Sequence, residues 1–130
     1  MSSDSNESNA LAVFEKQLAD FAKARDWEQF HSPKNLVMAL TGEVGELVEH
    51  FQWLTEEQSK ALPVETLREV SLEMADVFIY LLRLSERLQV DLLGVAKEKM
   101  ALNEKRYPVD QVRGSAKRAA EYQPKLADEA

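Results

Sequence analysis

Apolar residues recur along this chain at three- and four-residue intervals. Leu11, Phe14, Leu18 and Phe21 share one stripe and predict a helix over residues 10–25, with a loop at 26–31. Ser32-Pro33 reads as an N-cap and first helical residue: the serine hydroxyl can accept from a free amide, and proline has no amide to leave unpaired. A second helix is expected from there to about residue 54. Polar and acidic residues at 55–60, then Pro63, interrupt the pattern, so a third helix is expected over about 64–89. A fourth, about 91–106, stops at Tyr107-Pro108 because the residue before a proline is disfavoured in helical geometry. No stretch alternates long enough for a sheet, and no solenoid-length repeat is present. The expected fold is all-α, a four-helix-bundle-like domain over residues 10–112. An acidic, Ser/Asn-rich segment at 1–9 is expected as a disordered tail and residues 113–130 as a polar one.

The third helix is the most apolar. Stepping about 100° per residue, Val70, Val77, Leu81, Leu84 and Leu88 share one face, while Leu72, Ile79 and Leu82 lie roughly opposite. Both faces need cover. Association into a homodimer or homotetramer supplies it, and an intramolecular bundle wrapped around this helix is the alternative.

Composition narrows the chemistry. With 130 residues and 45% hydrophobic content, one domain can hold a core without a structural metal, and the lack of cysteine excludes disulfides and thiolate chemistry. The formal charge of −7 opposes binding to polymeric nucleic acid or anionic lipid, so a polyanionic ligand needs a bridging cation. The N-terminus lacks the basic start and apolar stretch of a secretory signal. The longest apolar run, residues 77–82, is far short of the roughly 20 residues that span a bilayer. A soluble, cytoplasmic protein is expected.

Two acidic pairs stand out, Glu43 with Glu46 and Glu73 with Asp76, each spaced to share a helix face. About four such pairs would arise by chance at this acidic content, so position must decide. Glu43 falls within about 60° of Leu36, Leu40, Leu47 and Leu54, in the middle of the apolar stripe. Glu73 is bracketed by Val70, Val77 and Leu84, with Tyr80 on the same line and Asp76 at its edge. Both pairs are expected to point inward. Burying a carboxylate costs several kcal/mol unless it is paired, protonated or metal-bound, and few basic residues lie on these faces. Magnesium prefers carboxylate oxygens and leaves room for water and phosphates. The competing reading is a set of solvated acids in surface ion pairs.

Glu43-Val44-Gly45-Glu46, then 26 residues, then Glu73-Met74-Ala75-Asp76 resembles the paired acidic signature of the all-alpha MazG-like nucleotide pyrophosphatases. Residues 25–31 (RDWEQFH), 42–47 (GEVGEL), 51–53 (FQW), 76–80 (DVFIY) and 106–108 (RYP) resemble its dCTP pyrophosphatase branch. The likeness extends over about residues 11–108. It implies that Glu43, Glu46, Glu73 and Asp76 hold Mg2+, that Trp27, Phe30, His31, Trp53 and Tyr80 form the base and sugar pocket, and that Lys99, Asn103 and Arg106 lie near the phosphates. Leu18 stands where animal members commonly carry a histidine facing the nucleotide. The family's subunits form dimers and often tetramers, in agreement with the apolar third helix.

The residues themselves leave alternatives open. Trp27, Phe30 and Trp53 lie outside or at the ends of the stripes, where rings can stack on a base or fill a core or interface. His31 can equally be a satisfied loop histidine, Lys99 a solvated lysine, Asn103 a helix-end residue, and Glu49 a surface acid beside the cluster. The resemblance implies a Mg2+-dependent hydrolase that splits dCTP, or modified cytosine deoxynucleotides, into monophosphate and pyrophosphate, with Glu46 orienting the attacking water. A dUTP-type or broad-specificity pyrophosphatase and a non-catalytic helical partner protein are the other classes.

Overall fold

The computed structural model describes residues 3–116, and all regular structure among them is helical. Helix α1 spans Ser3–Ala24, α2 Pro33–Glu49, α3 Glu56–Ser59, α4 Val64–Arg87, α5 Leu92–Arg106 and α6 Val109–Val112. The backbone divides into two units, Met1–Val90 and Asp91–Ala130, each described by itself.

Helix α1 starts at Ser3, not at residue 10, so most of the segment expected as a tail has helical backbone. No glycine or proline interrupts residues 3–9. At its other end the Asp26 amide donates to the Lys23 carbonyl (3.0 Å) and the Trp27 amide to the Ala22 carbonyl (2.9 Å), with Asp26 at φ 54°. This paired closure normally takes glycine. Its effect is to turn the chain sharply at Trp27, into a 3-10 turn at Glu28–Phe30.

The expected start of α2 is present: Ser32 accepts from the Asn35 amide at 3.2 Å and Pro33 opens the helix. The Asn35 amide side chain also donates to the Phe30 carbonyl (3.0 Å), fastening the preceding turn to the helix. Helix α2 ends at Glu49, five residues before the expected boundary. The reason is a competing start signal, because Thr55 and Gln58 form a reciprocal capping box that holds Thr55 extended and opens α3.

Helix α4 packs chiefly along α2 and also against α1. Ala22, Leu36, Val70 and Leu82 are buried there, and Phe14 stacks on Phe78 with ring centroids 6.2 Å apart. Leu82, assigned above to a face needing outside cover, is fully buried in the single chain: at about 120° from Val70 it lies on the flank of the face packed on α2. Other apolar side chains of α4, namely Leu67, Leu72, Met74 and Phe78, remain about half exposed, as does Leu88 at its C-cap. The helix ends like α1, with Gln89 at φ 56° and the Val90 amide donating to the Ser85 carbonyl at 2.8 Å.

In the second unit Asp91 caps α5, accepting from the Gly94 amide at 3.1 Å. A side chain at position 94 would collide with the Asp91 carboxylate, so glycine is what lets the cap close. Helix α6 follows Pro108, within a stretch where the sequence pattern predicts no helix. Most of the expected polar tail, from residue 117 onward, lies outside the described residues. No helix among the described residues is long and apolar enough to cross a membrane.

Candidate active site

Packing of α4 on α2 brings the two acidic pairs together. Glu43, Glu73 and Asp76 each present a carboxylate oxygen, and these oxygens lie within 4.8 Å of one another. Glu46 lies beside them, close enough to raise the carboxyl pKa values of Glu43 and Glu73. Glu43 and Glu73 are half-buried, while Glu46 and Asp76 are exposed. Oε2 of Glu43 and Oε2 of Glu73 are both buried without a hydrogen-bond partner. Buried oxygens without donors normally cost stability. In a carboxylate cluster they are what a hard cation takes as ligands.

Charge regulation follows from the same packing. Burial first, then hydrogen bonds from Glu46 and Glu73 and the charges of Glu46 and Asp76, push the Glu43 carboxyl up to about 7. Glu73 is raised as well, again by burial first and then by its Glu46 contact. A carboxyl raised in the folded state binds a proton that the unfolded chain gives up near 4.5. Its contribution to stability is therefore complete below that value and is lost as pH rises through about 7. Metal-free protein should show a falling Tm from pH 5 to pH 8 in chelator, and a saturating divalent cation should flatten that fall. Calorimetry across pH with and without the cation measures both, and a Tm independent of pH in chelator contradicts the assignment.

Beside the carboxylates lies a cavity of about 320 Å³, lined by Leu18, Phe21, Ala22 and Trp27 from the α1 side, His31, and Asp76, Ile79, Tyr80 and Arg83 from α4. Its size falls in the usual range for small-molecule sites. Trp27 meets Phe21 edge-on at 5.7 Å and His31 at 6.3 Å, and the Arg25 guanidinium sits 3.5 Å over the Phe21 ring. Trp27 thus touches both Phe21 and His31 along the wall of the cavity that all three line. Asp76 belongs both to the carboxylate cluster and to the cavity wall. Cation site and cavity are thus contiguous.

Of the other expected residues, two belong to the first unit but not to the cavity wall. Phe30 and Trp53 do not line the cavity and are 59% and 86% exposed. Lys99, Asn103 and Arg106 lie on α5 in the second unit, spaced to share one face. Glu49 is the last residue of α2 and exposed. Arg83 is a wall residue that the sequence pattern does not single out. The signal for it is its place seven residues after Asp76 and three after Tyr80, on one α4 face.

Comparison with known proteins shows the family. The MazG-like family matches residues 39–121. Mouse dCTP pyrophosphatase 1 is 51% identical over 100 residues, covering 75% of this chain and 59% of the mouse protein. The human protein of that name is 45% identical over 105 residues, covering 79% and 62%. The chain thus spans about three-fifths of the length of the curated relatives it matches. Among solved structures, a pyrophosphatase from Archaeoglobus fulgidus superimposes with a TM-score of 0.68 at 36% identity, covering 76% of this chain and 93% of that one. With acidic pairs, fold and similarity in agreement, this chain belongs to the MazG-like family.

Proposed function

We propose that the protein is a Mg2+-dependent nucleoside triphosphate pyrophosphohydrolase that converts dCTP, or modified cytosine deoxynucleotides, to the monophosphate and pyrophosphate. The observation that carries this reading is the shared position of Asp76, which joins a donor-less carboxylate cluster to a ring-lined cavity of nucleobase size. The cytosine preference is supported by the likeness to the mouse and human dCTP pyrophosphatases.

Glu43, Glu73 and Asp76, with Glu46 beside them, would hold the ion. When bound, Mg2+ supplies charge neutralisation of the triphosphate and orientation of its phosphates. Glu46, exposed at the rim of the cluster, holds the attacking water and takes its proton as the bond to the α-phosphorus forms. Trp27 stacks on the base, and His31 and Tyr80 offer hydrogen bonds at its edge. Lys99, Asn103 and Arg106 are assigned to the phosphates, which their shared face on α5 permits. Phe30 and Trp53 are assigned to the substrate as well, and their exposure in the single subunit makes that role dependent on association. Such a reaction clears surplus or modified nucleotides from the cytoplasmic pool.

Initial rates over a panel of nucleoside triphosphates, with and without Mg2+, test the assignment. The highest kcat/KM is expected for cytosine deoxynucleotides. A maximum at dUTP or a flat profile would replace the base assignment while keeping the chemistry, and no turnover with any nucleotide would leave a non-catalytic partner protein.

We also infer a homodimer or homotetramer, because Leu67, Leu72, Met74 and Phe78 of α4 remain exposed, with further apolar side chains such as Val44 and Val48 on α2. Light scattering at micromolar concentration should give two or four times the subunit mass. A pure monomer would contradict the inference.

A further inference from the structure

Arg83 is the one buried cation among the described residues, and it sits at the wall of the cavity. One terminal nitrogen donates to Glu86 Oε2 at 3.0 Å. The other lies 3.3 Å from Nδ1 of His31, fifty-two residues away in sequence. One helical turn further on, Arg87 donates from Nε to the His31 carbonyl at 3.1 Å. Two arginines of α4 therefore hold the imidazole and the backbone of one loop residue. The Nε of Arg83 is buried with no partner, so the desolvation of this guanidinium is only partly compensated.

A guanidinium cannot accept a hydrogen bond and does not lose its proton, so Nδ1 of His31 must be the acceptor. In a neutral imidazole the proton then resides on Nε2, which makes no hydrogen bond with any described residue. Burial and the charges of Arg83 and Arg87 lower the His31 pKa, which favours the neutral ring. Of its two nitrogens, only Nε2 is left to meet a ligand in the cavity that His31 lines.

We propose that Arg83, assisted by Arg87, is a positioning residue that locks His31 in its Nε2–H tautomer and so makes the imidazole a fixed hydrogen-bond donor toward an acceptor atom of the substrate base. The recognition half of this proposal rests on the nucleotide reading above; the tautomer half does not. A base that offers a ring nitrogen or carbonyl oxygen at this position is accepted, and one that offers an amino group meets donor against donor.

The chain has two histidines, so long-range nitrogen–proton spectra of the imidazoles are simple, and His50→Gln identifies the His31 signals. Wild-type protein should show His31 with the proton on Nε2 alone. Arg83→Met should populate both tautomers and raise KM for the preferred nucleotide by about tenfold with kcat changed less than about twofold, as loss of an oriented hydrogen bond predicts. Arg83→Lys, which keeps a cation and a donor, should fall between the two. Should Arg83→Met not fold, Arg83→Lys and the wild-type spectrum still decide. An Nδ1–H imidazole in active wild-type enzyme overturns the proposal alone, as does an unchanged tautomer and KM in a folded variant. A wild-type protein that hydrolyses no nucleotide overturns the functional reading and the recognition half with it.

Discussion

Glu73→Gln should reduce pyrophosphate release on the order of a thousandfold, the scale expected when charge stabilisation at the reacting phosphate is lost. The substitution keeps the side-chain volume and removes one negative charge from a cluster whose carboxylate oxygens lie within 4.8 Å of each other. In the metal-free protein that charge is unfavourable, since Glu73 Oε2 is buried without a donor and Glu46 and Asp76 repel it. The amide introduced at position 73 can instead donate to the Glu43 carboxylate. The variant should therefore melt at the same temperature as metal-free wild type or higher. Mg2+ binds only the assembled site and so raises the wild-type Tm as its concentration passes Kd. That rise should be much smaller in the variant. Activity and metal-free stability thus move in opposite directions, which general damage to the fold cannot produce. Retained activity would remove Glu73 from the site.

Trp27→Ala should raise KM by roughly ten- to a hundredfold, as loss of one stacked base predicts at about 1–3 kcal/mol, while kcat changes little. Stacking on a base far from the reacting phosphorus is felt alike in ground and transition states. The ring is 42% exposed and its neighbours Phe21 and His31 also line the cavity, so its removal opens the slot without emptying the core. Steady-state kinetics separates the outcomes. A fall in kcat with KM unchanged would mean that Trp27 positions the cluster through His31, and no kinetic effect would assign the ring to a subunit interface. Trp53→Ala is the companion measurement: its ring is 86% exposed in the single subunit, so a rise in KM would mean that association brings it to the substrate.

Helix starts are readable in the sequence where their signals are local, as they are not for α1, which begins seven residues before the expected position. Ser32 and Pro33 at α2 and Asp91 at α5 act through side-chain chemistry at the position where the helix begins. The end of α2 is less readable, and the residues that close α1 and α4 are unusual ones. Asp26 and Gln89 take left-handed backbone where glycine is usual, and α2 stops because Thr55 and Gln58, several residues later, favour a new start. The inward placement of Glu43 and Glu73 is readable from helical periodicity, because a charged residue in the centre of an apolar stripe has nowhere else to point. Arg83 is hidden at that level because arginine is usually solvated, and only its partners Glu86 and His31 reveal why it is buried. Phe30 and Trp53 show the limit of reading by residue type, since an aromatic ring suits a pocket, a core or an interface equally well.

Phosphorus NMR of the products tests the central claim most directly. Incubated with dCTP and Mg2+, the protein should produce dCMP and pyrophosphate in equal amounts, with no dCDP or free phosphate at early times. Chelator should stop the reaction, and renewed Mg2+ should restore it. Appearance of dCDP with inorganic phosphate, or turnover that persists in chelator, would contradict the account, because neither follows from a cation-dependent attack at the α-phosphorus beside Glu43, Glu46, Glu73 and Asp76.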